Sequence, residues 1–127
     1  MFKFKLIASI LFVSLFFLGC KKNASGGKAQ ISGQVIFKGN LVTSGTVYIK
    51  YGATTSPGND PTQYDNQVYI DASGNFTIAS LYPGDYYLFA IANYNVGGLG
   101  SRHVNGGTHA NIPHTKSTVN YDIATAE

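Results

Sequence analysis

Three histidines in the last third of the chain, His103, His109 and His114, are the residues best suited to bind a transition metal. Neutral imidazole is the commonest transition-metal ligand in proteins, and three such groups could hold zinc or copper. Their spacings of six and five residues match no recognised ligand motif. The surrounding segment is rich in glycine and asparagine, which is typical of an exposed loop. We therefore predict no resident metal or other cofactor, and a metal site at these histidines stays as an alternative.

Other polar residues offer little further chemistry. Asp71, Ser73 and Asn75 could supply oxygens to calcium, but Gly74 comes fourth in that segment, whereas an EF-hand loop has its glycine sixth and a glutamate twelfth. A hairpin turn capped by Asp71 explains the same residues. The sequence contains no Gly-x-Ser-x-Gly nucleophile elbow. We expect no catalytic residues and no enzyme activity.

The single cysteine, Cys20, follows an apolar run near the start of the chain. Lys3 and Lys5 precede this run, residues 6–18 form it, and the small Gly19 ends it. A positive start, a short apolar stretch and a small residue in this order are the layout of a secretory signal. A run of thirteen residues is too short to span a hydrocarbon core of about 30 Å as a helix.

The Gly19–Cys20 pair resembles the lipobox of bacterial lipoproteins, although Phe17 stands where that pattern usually has leucine. The resemblance implies signal cleavage before Cys20 and attachment of a diacylglycerol and an N-acyl lipid to that cysteine. Stable attachment needs more than one acyl chain. The chain then divides into a signal helix at residues 1–19, a lipidated flexible tether at 20–30 and a domain at 31–127. Lipoproteins with aspartate directly after the cysteine tend to stay in the inner membrane, and this sequence has Lys21 there. The resemblance therefore implies the periplasmic face of the outer membrane.

The charge of the chain changes along its length. From Ile31 onward the sequence has four basic residues (Lys38, Lys50, Arg102, Lys116) and six acidic ones (Asp60, Asp65, Asp71, Asp85, Asp122, Glu127), a net charge of −2. The calculated pI of 9.0 therefore reflects the signal and the tether rather than the domain. Binding of nucleic acid needs a basic face, so nucleic acid is excluded as a partner.

Residues 31–127 show the pattern of short strands. Apolar and polar residues alternate in the runs 31–37, 47–51, 68–70, 76–78 and 119–123, while 86–92 is apolar at nearly every position. Period two indicates half-buried strands, and a continuous apolar run indicates a strand covered on both faces. Turn residues separate the runs. We predict an all-β fold, a single antiparallel Greek-key sandwich of about seven strands.

Two turns resemble those of carboxypeptidase-regulatory-like domains and the related collagen-adhesin B-type repeats, which have a transthyretin-like fold. The first is Asp71-Ala-Ser-Gly-Asn-Phe-Thr-Ile, with Gly74 in the turn and Phe76 in the core. The second is Leu81-Tyr-Pro-Gly-Asp-Tyr-Tyr-Leu. In the second turn, Pro83 and Gly84 suit the central positions of a type II turn, and the hydroxyl of Tyr86 could bond the turn backbone. A first strand of the form Ile31-Ser-Gly-Gln-Val completes the resemblance. We interpret these motif residues as scaffold.

Tyrosines are the remaining candidates for a binding surface. Tyr48, Tyr69 and Tyr87 fall out of phase with the aliphatic face of their strands, and the segments 51–64 and 94–109 are predicted to be loops at the edge of that surface. Exposed tyrosines can stack on sugar rings or anchor a protein partner. The sequence thus predicts a lipid-anchored, non-catalytic binding or structural module of the bacterial envelope, with a protein or glycan partner. The alternative is a small metal- or carbohydrate-binding lipoprotein.

Overall fold

The computed structural model describes residues 22–127, which form nine strands arranged in two sheets. The predicted signal at 1–19 and Cys20 lie outside these residues. The strands are β1 (Ser25–Phe37), β2 (Asn40–Leu41), β3 (Gly45–Tyr51), β4 (Asn66–Tyr69), β5 (Asn75–Leu81), β6 (Gly84–Asn95), β7 (Ser101–Ile112), β8 (Thr118–Asn120) and β9 (Ile123–Thr125). Short 3₁₀ turns occupy Pro61–Gln63 and Gly97–Leu99. None of the helical segments in the described part of the chain could traverse a lipid bilayer.

One sheet is centred on β1, which pairs with β2 and β5 in antiparallel fashion and with β8 and β9 in parallel. The other has the strand order β4-β3-β6-β7 and is antiparallel throughout. A single apolar core contains side chains from both sheets, among them Ile31, Phe76, Leu88 and Ile123. The all-β sandwich predicted from the alternating pattern is therefore confirmed, and its strands pair in antiparallel fashion except where β8 and β9 run parallel to β1.

The parallel pairing arises after β7. This strand ends beside the start of β6 (Gly84 pairs with Ile112), and the chain then crosses to β1 and runs alongside it in the same direction. The single strand predicted at 119–123 is interrupted at residues 121 and 122 but keeps one register with β1 across the interruption. Gly33 lies opposite the interruption, and a Cβ there would overlap the backbone carbonyl of Tyr121. The glycine of the predicted first-strand motif is therefore required by a close backbone approach.

Part of the segment predicted to be a flexible tether, residues 20–30, belongs instead to strand β1. Strand β1 begins at Ser25, and Ala29 is buried in the core. Gly27 packs so closely on the backbone of Leu81 and Tyr82 that no side chain would fit. The low apolar content that suggested a spacer instead reflects glycines that allow two backbones to approach each other.

Candidate functional site

The outward face of the β4-β3-β6-β7 sheet carries a group of aromatic rings. Tyr48 of β3 and Tyr87 and Phe89 of β6 lie on this face, and Tyr64 from the β3–β4 loop covers it. The rings of Tyr64 and Phe89 stack at 5.7 Å with an interplanar angle of 14°, and Tyr48 is 6.0 Å from Tyr64. Phe89 is only 4% exposed although it points away from the core. We call Tyr48, Tyr64, Tyr87 and Phe89 the tyrosine platform.

Hydrogen bonds within the β3–β4 loop fix the position of Tyr64. Its hydroxyl donates to the carbonyl of Gly58 at 2.7 Å. The carboxylate of Asp60 accepts from the amide of Thr62 at 3.0 Å, which caps the 3₁₀ turn and lowers the pKa of Asp60. At the end of the loop, the carboxylate of Asp65 accepts from the amide of Tyr51 at 2.8 Å. Burial raises the pKa of the Tyr64 phenol, consistent with a ring held against the sheet.

Tyr87 lies across the neighbouring strand at Gly107. A Cβ on Gly107 would stand 2.6 Å from the Tyr87 hydroxyl oxygen and 2.7 Å from its ring carbon Cε1. Because both the hydroxyl and the ring edge occupy the space above the glycine, the phenol leans over β7 rather than standing upright from the sheet. The side of a half-buried ring turned away from the strand is then available to a ligand.

Polar groups flank the platform on both sides. At one side, Nε2 of His109 lies 2.9 Å from Oδ1 of Asp85, and the amide of Asn111 donates to the same oxygen at 3.0 Å. These two hydrogen bonds, that of Asn111 foremost, lower the pKa of Asp85. At the other side, Nζ of Lys50 lies 3.3 Å from Oδ1 of Asp65. The register places Lys50, Tyr87 and His109 in one row across three strands.

This arrangement can recognise a flat molecule that has apolar faces and a polar rim. An aromatic ring offers a large apolar surface of fixed orientation at little entropic cost. The adjacent carboxylate, imidazole and amide groups can donate and accept hydrogen bonds at the rim of a ligand.

The three histidines do not come together. His103 and His109 both lie on β7, six residues apart on the same face, which separates them by about 20 Å. His114 belongs to the turn after that strand. Residues 22–127 hold no cluster of three or more histidine, cysteine, aspartate or glutamate side chains that could bind a metal ion.

The predicted loop at 94–109 is wrong, because most of it belongs to the β6–β7 hairpin. Its glycines lie inside a strand rather than in turns. Gly106 faces the carbonyl of Ala124 so closely that a side chain would overlap it, and Gly107 makes room for Tyr87. The predicted loop at 51–64, in contrast, does join β3 to β4 and does reach the tyrosine face.

The motif around Asp71 forms a tight hairpin turn. The Asp71 carboxylate accepts from the amides of Ser73 at 2.9 Å and Asn75 at 3.0 Å. Gly74 has a φ of 82°, a value that favours glycine, and Phe76 is buried two residues later. Asp71 and Asn75 also line a polar groove of about 530 Å³ on the β1 sheet, together with Asp122. Because Asp122 accepts from the amide of Gln34 at 3.0 Å, both carboxylates of the groove bond to backbone amides.

The Pro83–Gly84 segment is a bend rather than a type II turn. Gly84 has a φ of 139°, far from the value of about 80° at the third position of such a turn. The glycine is needed because the side chain of Asn23 occupies the place of its missing Cβ. The hydroxyl of Tyr86 donates to the carbonyl of Tyr82 at 2.6 Å and lies 3.3 Å from that of Ala24, as expected for a tyrosine that secures a turn.

Sequence reasoning found the platform tyrosines separately but missed three features of the site. It did not pair Asp85 with His109, because His109 was assigned to a loop and not to a strand beside β6. Gly107 falls in the segment 94–109 that the sequence predicts to be a loop, so its contact with Tyr87 could not be anticipated. It assigned Phe89 to a covered central strand but gave no indication that Tyr64 would cover it. The out-of-phase positions of Tyr48 and Tyr87 were the one signal available from sequence.

Comparison with known proteins gives a likeness in fold. No family model and no curated protein matches the sequence. Among solved structures, a Pseudomonas aeruginosa protein provisionally described as carbohydrate-binding matches with a TM-score of 0.59 and 11% sequence identity, covering 80% of this chain and 91% of its own. At this identity the likeness concerns architecture, and it shows that the chain shares the all-β, sandwich-like fold of that protein.

Proposed function

We propose that the protein is a non-catalytic carbohydrate-binding module that is attached by lipid to the bacterial cell envelope. The observation that carries the proposal is the tyrosine platform, in which Tyr87 leans over Gly107 and Tyr64 stacks on Phe89 beside hydrogen-bonding side chains. Sugar rings present C–H faces that stack on aromatic rings and hydroxyls that need polar partners at the rim. The description of the P. aeruginosa protein as carbohydrate-binding is consistent with this reading.

The charge distribution around the platform favours an uncharged glycan. Lys50 is paired with Asp65, and Asp85 is shared between His109 and Asn111. No cation of the described platform is therefore left over for a carboxylate or phosphate of an acidic sugar. Unpaired charges would be expected on a surface that selects charged ligands.

The lipid anchor is proposed from the sequence. A positive start, a short apolar stretch and the Gly19–Cys20 pair support cleavage before Cys20 and acylation of its thiol. Lys21 supports sorting to the outer membrane, with the domain in the periplasm. Membership of the carboxypeptidase-regulatory-like group is proposed as well, on the hairpin at Asp71 and on the position of Tyr86 behind its bend.

Titration of the purified full-length protein in detergent against neutral and acidic oligosaccharides tests the binding role. We expect a neutral oligosaccharide to bind and the Tyr87→Ala variant to bind it about tenfold more weakly, a loss of roughly 1.4 kcal/mol. Leu99→Ala is the control, because Leu99 is 90% exposed in the 3₁₀ turn Gly97–Leu99, at the end of the β6–β7 hairpin that is far from Tyr87. Equal affinities of the two variants, or no binding of any sugar, would refute the proposal.

A further inference from the structure

The ordered domain starts almost directly after the proposed lipidation site. The backbone amide of Asn23 donates to the carbonyl of Pro83 at 2.9 Å, and its side-chain oxygen accepts from the amide of Asp85 at 2.7 Å. The next residue, Ala24, accepts from the amide of Tyr82 at 2.9 Å. Asn23 is thus bound on both sides of the bend that starts β6.

The local backbone is shaped to receive Asn23. This residue has a φ of 53°, a conformation that asparagine tolerates better than most residues. Gly84 has no side chain where Asn23 lies, and a Cβ added to Gly52 would meet the Asn23 side chain at 3.6 Å. The amide of Gly52 also donates to the carbonyl of Asp85 at 2.8 Å, which ties the loop after β3 to the same point.

The distance between the anchor and the domain follows from the chain length. Cys20 precedes Asn23 by three residues, and a fully extended chain spans at most about 3.6 Å per residue, or roughly 11 Å here. A tether of ten residues would have allowed the domain to tumble freely. A linker with a reach of about 11 Å restricts this tumbling, because the β6 strand alone is about 36 Å long.

The strands define which end of the domain is near the anchor. Asn23, the Tyr82–Gly84 bend and the turn after Ile112 lie at one end, since Gly84 pairs with Ile112. We call these three elements the Asn23 pole. The β6–β7 hairpin runs away from it to the 3₁₀ turn Gly97–Leu99, about 36 Å along a twelve-residue strand. Leu99, at that far tip, is 90% exposed.

The charge of the Asn23 pole suits a lipid surface. Lys22 and Lys116 are exposed there, and His114 lies in the same turn as Lys116. The carboxylate of Asp85 points to His109 and Asn111 on the platform. Basic side chains are attracted to the negative surface potential of anionic lipid.

We infer that the domain is held end-on at the lipid surface by residues 21 and 22 alone, with the Asn23 pole in contact with the lipid headgroups. This inference rests on the lipidation of Cys20 in the proposed function. The β6 and β7 strands then stand away from the membrane, and the tyrosine platform faces sideways. Tyr87, three residues beyond Gly84, lies only about 10 Å above the pole, so its ligand binds close to the membrane.

Contact quenching on vesicles tests this orientation. The lipidated protein is reconstituted in phosphatidylethanolamine–phosphatidylglycerol vesicles that contain a spin-labelled headgroup lipid. Acylation consumes the thiol of Cys20, so Thr115→Cys and Leu99→Cys each provide a single site for a fluorophore, the first at the Asn23 pole and the second at the far tip. We expect several-fold stronger quenching at position 115 than at position 99.

A lengthened linker is the matched control. Twenty glycine and serine residues inserted between Lys22 and Asn23 give a coil of about 25 Å root-mean-square length, and the two positions should then be quenched much more similarly. Equal quenching with the native linker would overturn the inference while leaving lipidation intact. A mass spectrum that shows unmodified Cys20 would overturn both the lipid anchor and this inference. The sugar titration would still test independently whether the tyrosine platform binds a glycan.

Discussion

Replacing Tyr86 by phenylalanine tests the interaction that joins the start of the domain to β6. Tyr86 is fully buried, and its hydroxyl is the only atom that the substitution removes. The hydroxyl donates to the carbonyl of Tyr82 at 2.6 Å and approaches that of Ala24 at 3.3 Å. Because Ala24 also accepts from the amide of Tyr82, the carbonyl of Tyr82 loses more than that of Ala24 does.

The expected cost follows from one buried hydrogen bond. The hydrogen bond contributes about 1 kcal/mol net, and leaving the Tyr82 carbonyl without its partner adds a further cost. Together they predict a loss of roughly 1–2 kcal/mol in the free energy of unfolding. No cavity term is added, because the aromatic ring stays in place. With a urea m-value of about 1–2 kcal/mol/M for a domain of this size, the unfolding midpoint should fall by about 1 M with an unchanged slope.

The same variant should also change how the free energy of unfolding depends on pH. Burial raises the pKa of Tyr86 in the folded state above its ordinary value of 10.0. The stabilisation by the protonated phenol is therefore complete below pH 10 and is lost as the pH rises through the folded pKa. Tyr86→Phe should show a smaller loss of stability between pH 9 and pH 11 than the parent protein. The exposed Tyr69→Phe is the control and should change neither midpoint nor pH profile.

Urea denaturation at a series of pH values measures both effects. A midpoint for Tyr86→Phe within about 0.2 M of the parent would contradict the assigned hydrogen bond. If Tyr86→Phe lost as much stability between pH 9 and pH 11 as the parent protein does, the pH effect could not be assigned to Tyr86. In that case Tyr64, whose pKa is also raised by burial, would be the next group to test.

Two further predictions concern β1 and the platform. Gly33→Ala should destabilise the domain by at least about 2 kcal/mol in thermal or urea unfolding, because the new methyl group meets the backbone of Tyr121 rather than a movable side chain; a cost below 0.5 kcal/mol would show that the two backbones are farther apart. Asn111→Ala should raise the carboxyl pKa of Asp85 towards its ordinary value of 3.8, since the Asn111 amide is the main cause of the lowering, and a carbon-detected NMR titration that finds no rise would contradict the hydrogen bond.

The fold could be predicted well where side-chain period alone determines structure. The alternation in 31–37 and 47–51 identifies β1 and β3, and the apolar run 86–92 identifies β6 as a strand covered on both faces. Phe89 shows how the second face is covered, by the stacked ring of Tyr64. Burial of alternate residues imposes this period on any sheet, so it is readable without knowledge of the partners.

The errors concern glycines whose role depends on a distant part of the chain. Gly27 and Gly106 looked like spacer or loop residues, but each lies where another backbone passes too closely for a side chain. A glycine in a turn and a glycine under a crossing chain look alike in sequence, because both simply lack a Cβ. The difference appears only when the register of β1 with β5, or the approach of the C-terminal strand to β7, is known.

The platform could be predicted only in part for a similar reason. Tyr48 and Tyr87 are recognisable as outward-facing residues, but their relation to Tyr64 depends on how the β3–β4 loop folds back over the sheet. That path is set by local hydrogen bonds of Asp60 and Asp65 to backbone amides. Such bonds are possible for many aspartates in loops, so the sequence does not single these out.

Asp85 connects the Asn23 pole to the candidate binding face through separate groups. Its backbone amide binds the side chain of Asn23 and its carbonyl accepts from Gly52, whereas its carboxylate binds His109 and Asn111. A substitution of the Asp85 side chain leaves its backbone bonds to Asn23 and Gly52 intact, so the polar groups beside the platform can change without loosening the Asn23 pole. The reverse does not hold, since a shift of the backbone at Asn23 would move the carboxylate with it. The position of the platform is therefore coupled by geometry to Asn23, and under the proposed lipid anchor this coupling would present a ligand at a fixed height above the membrane.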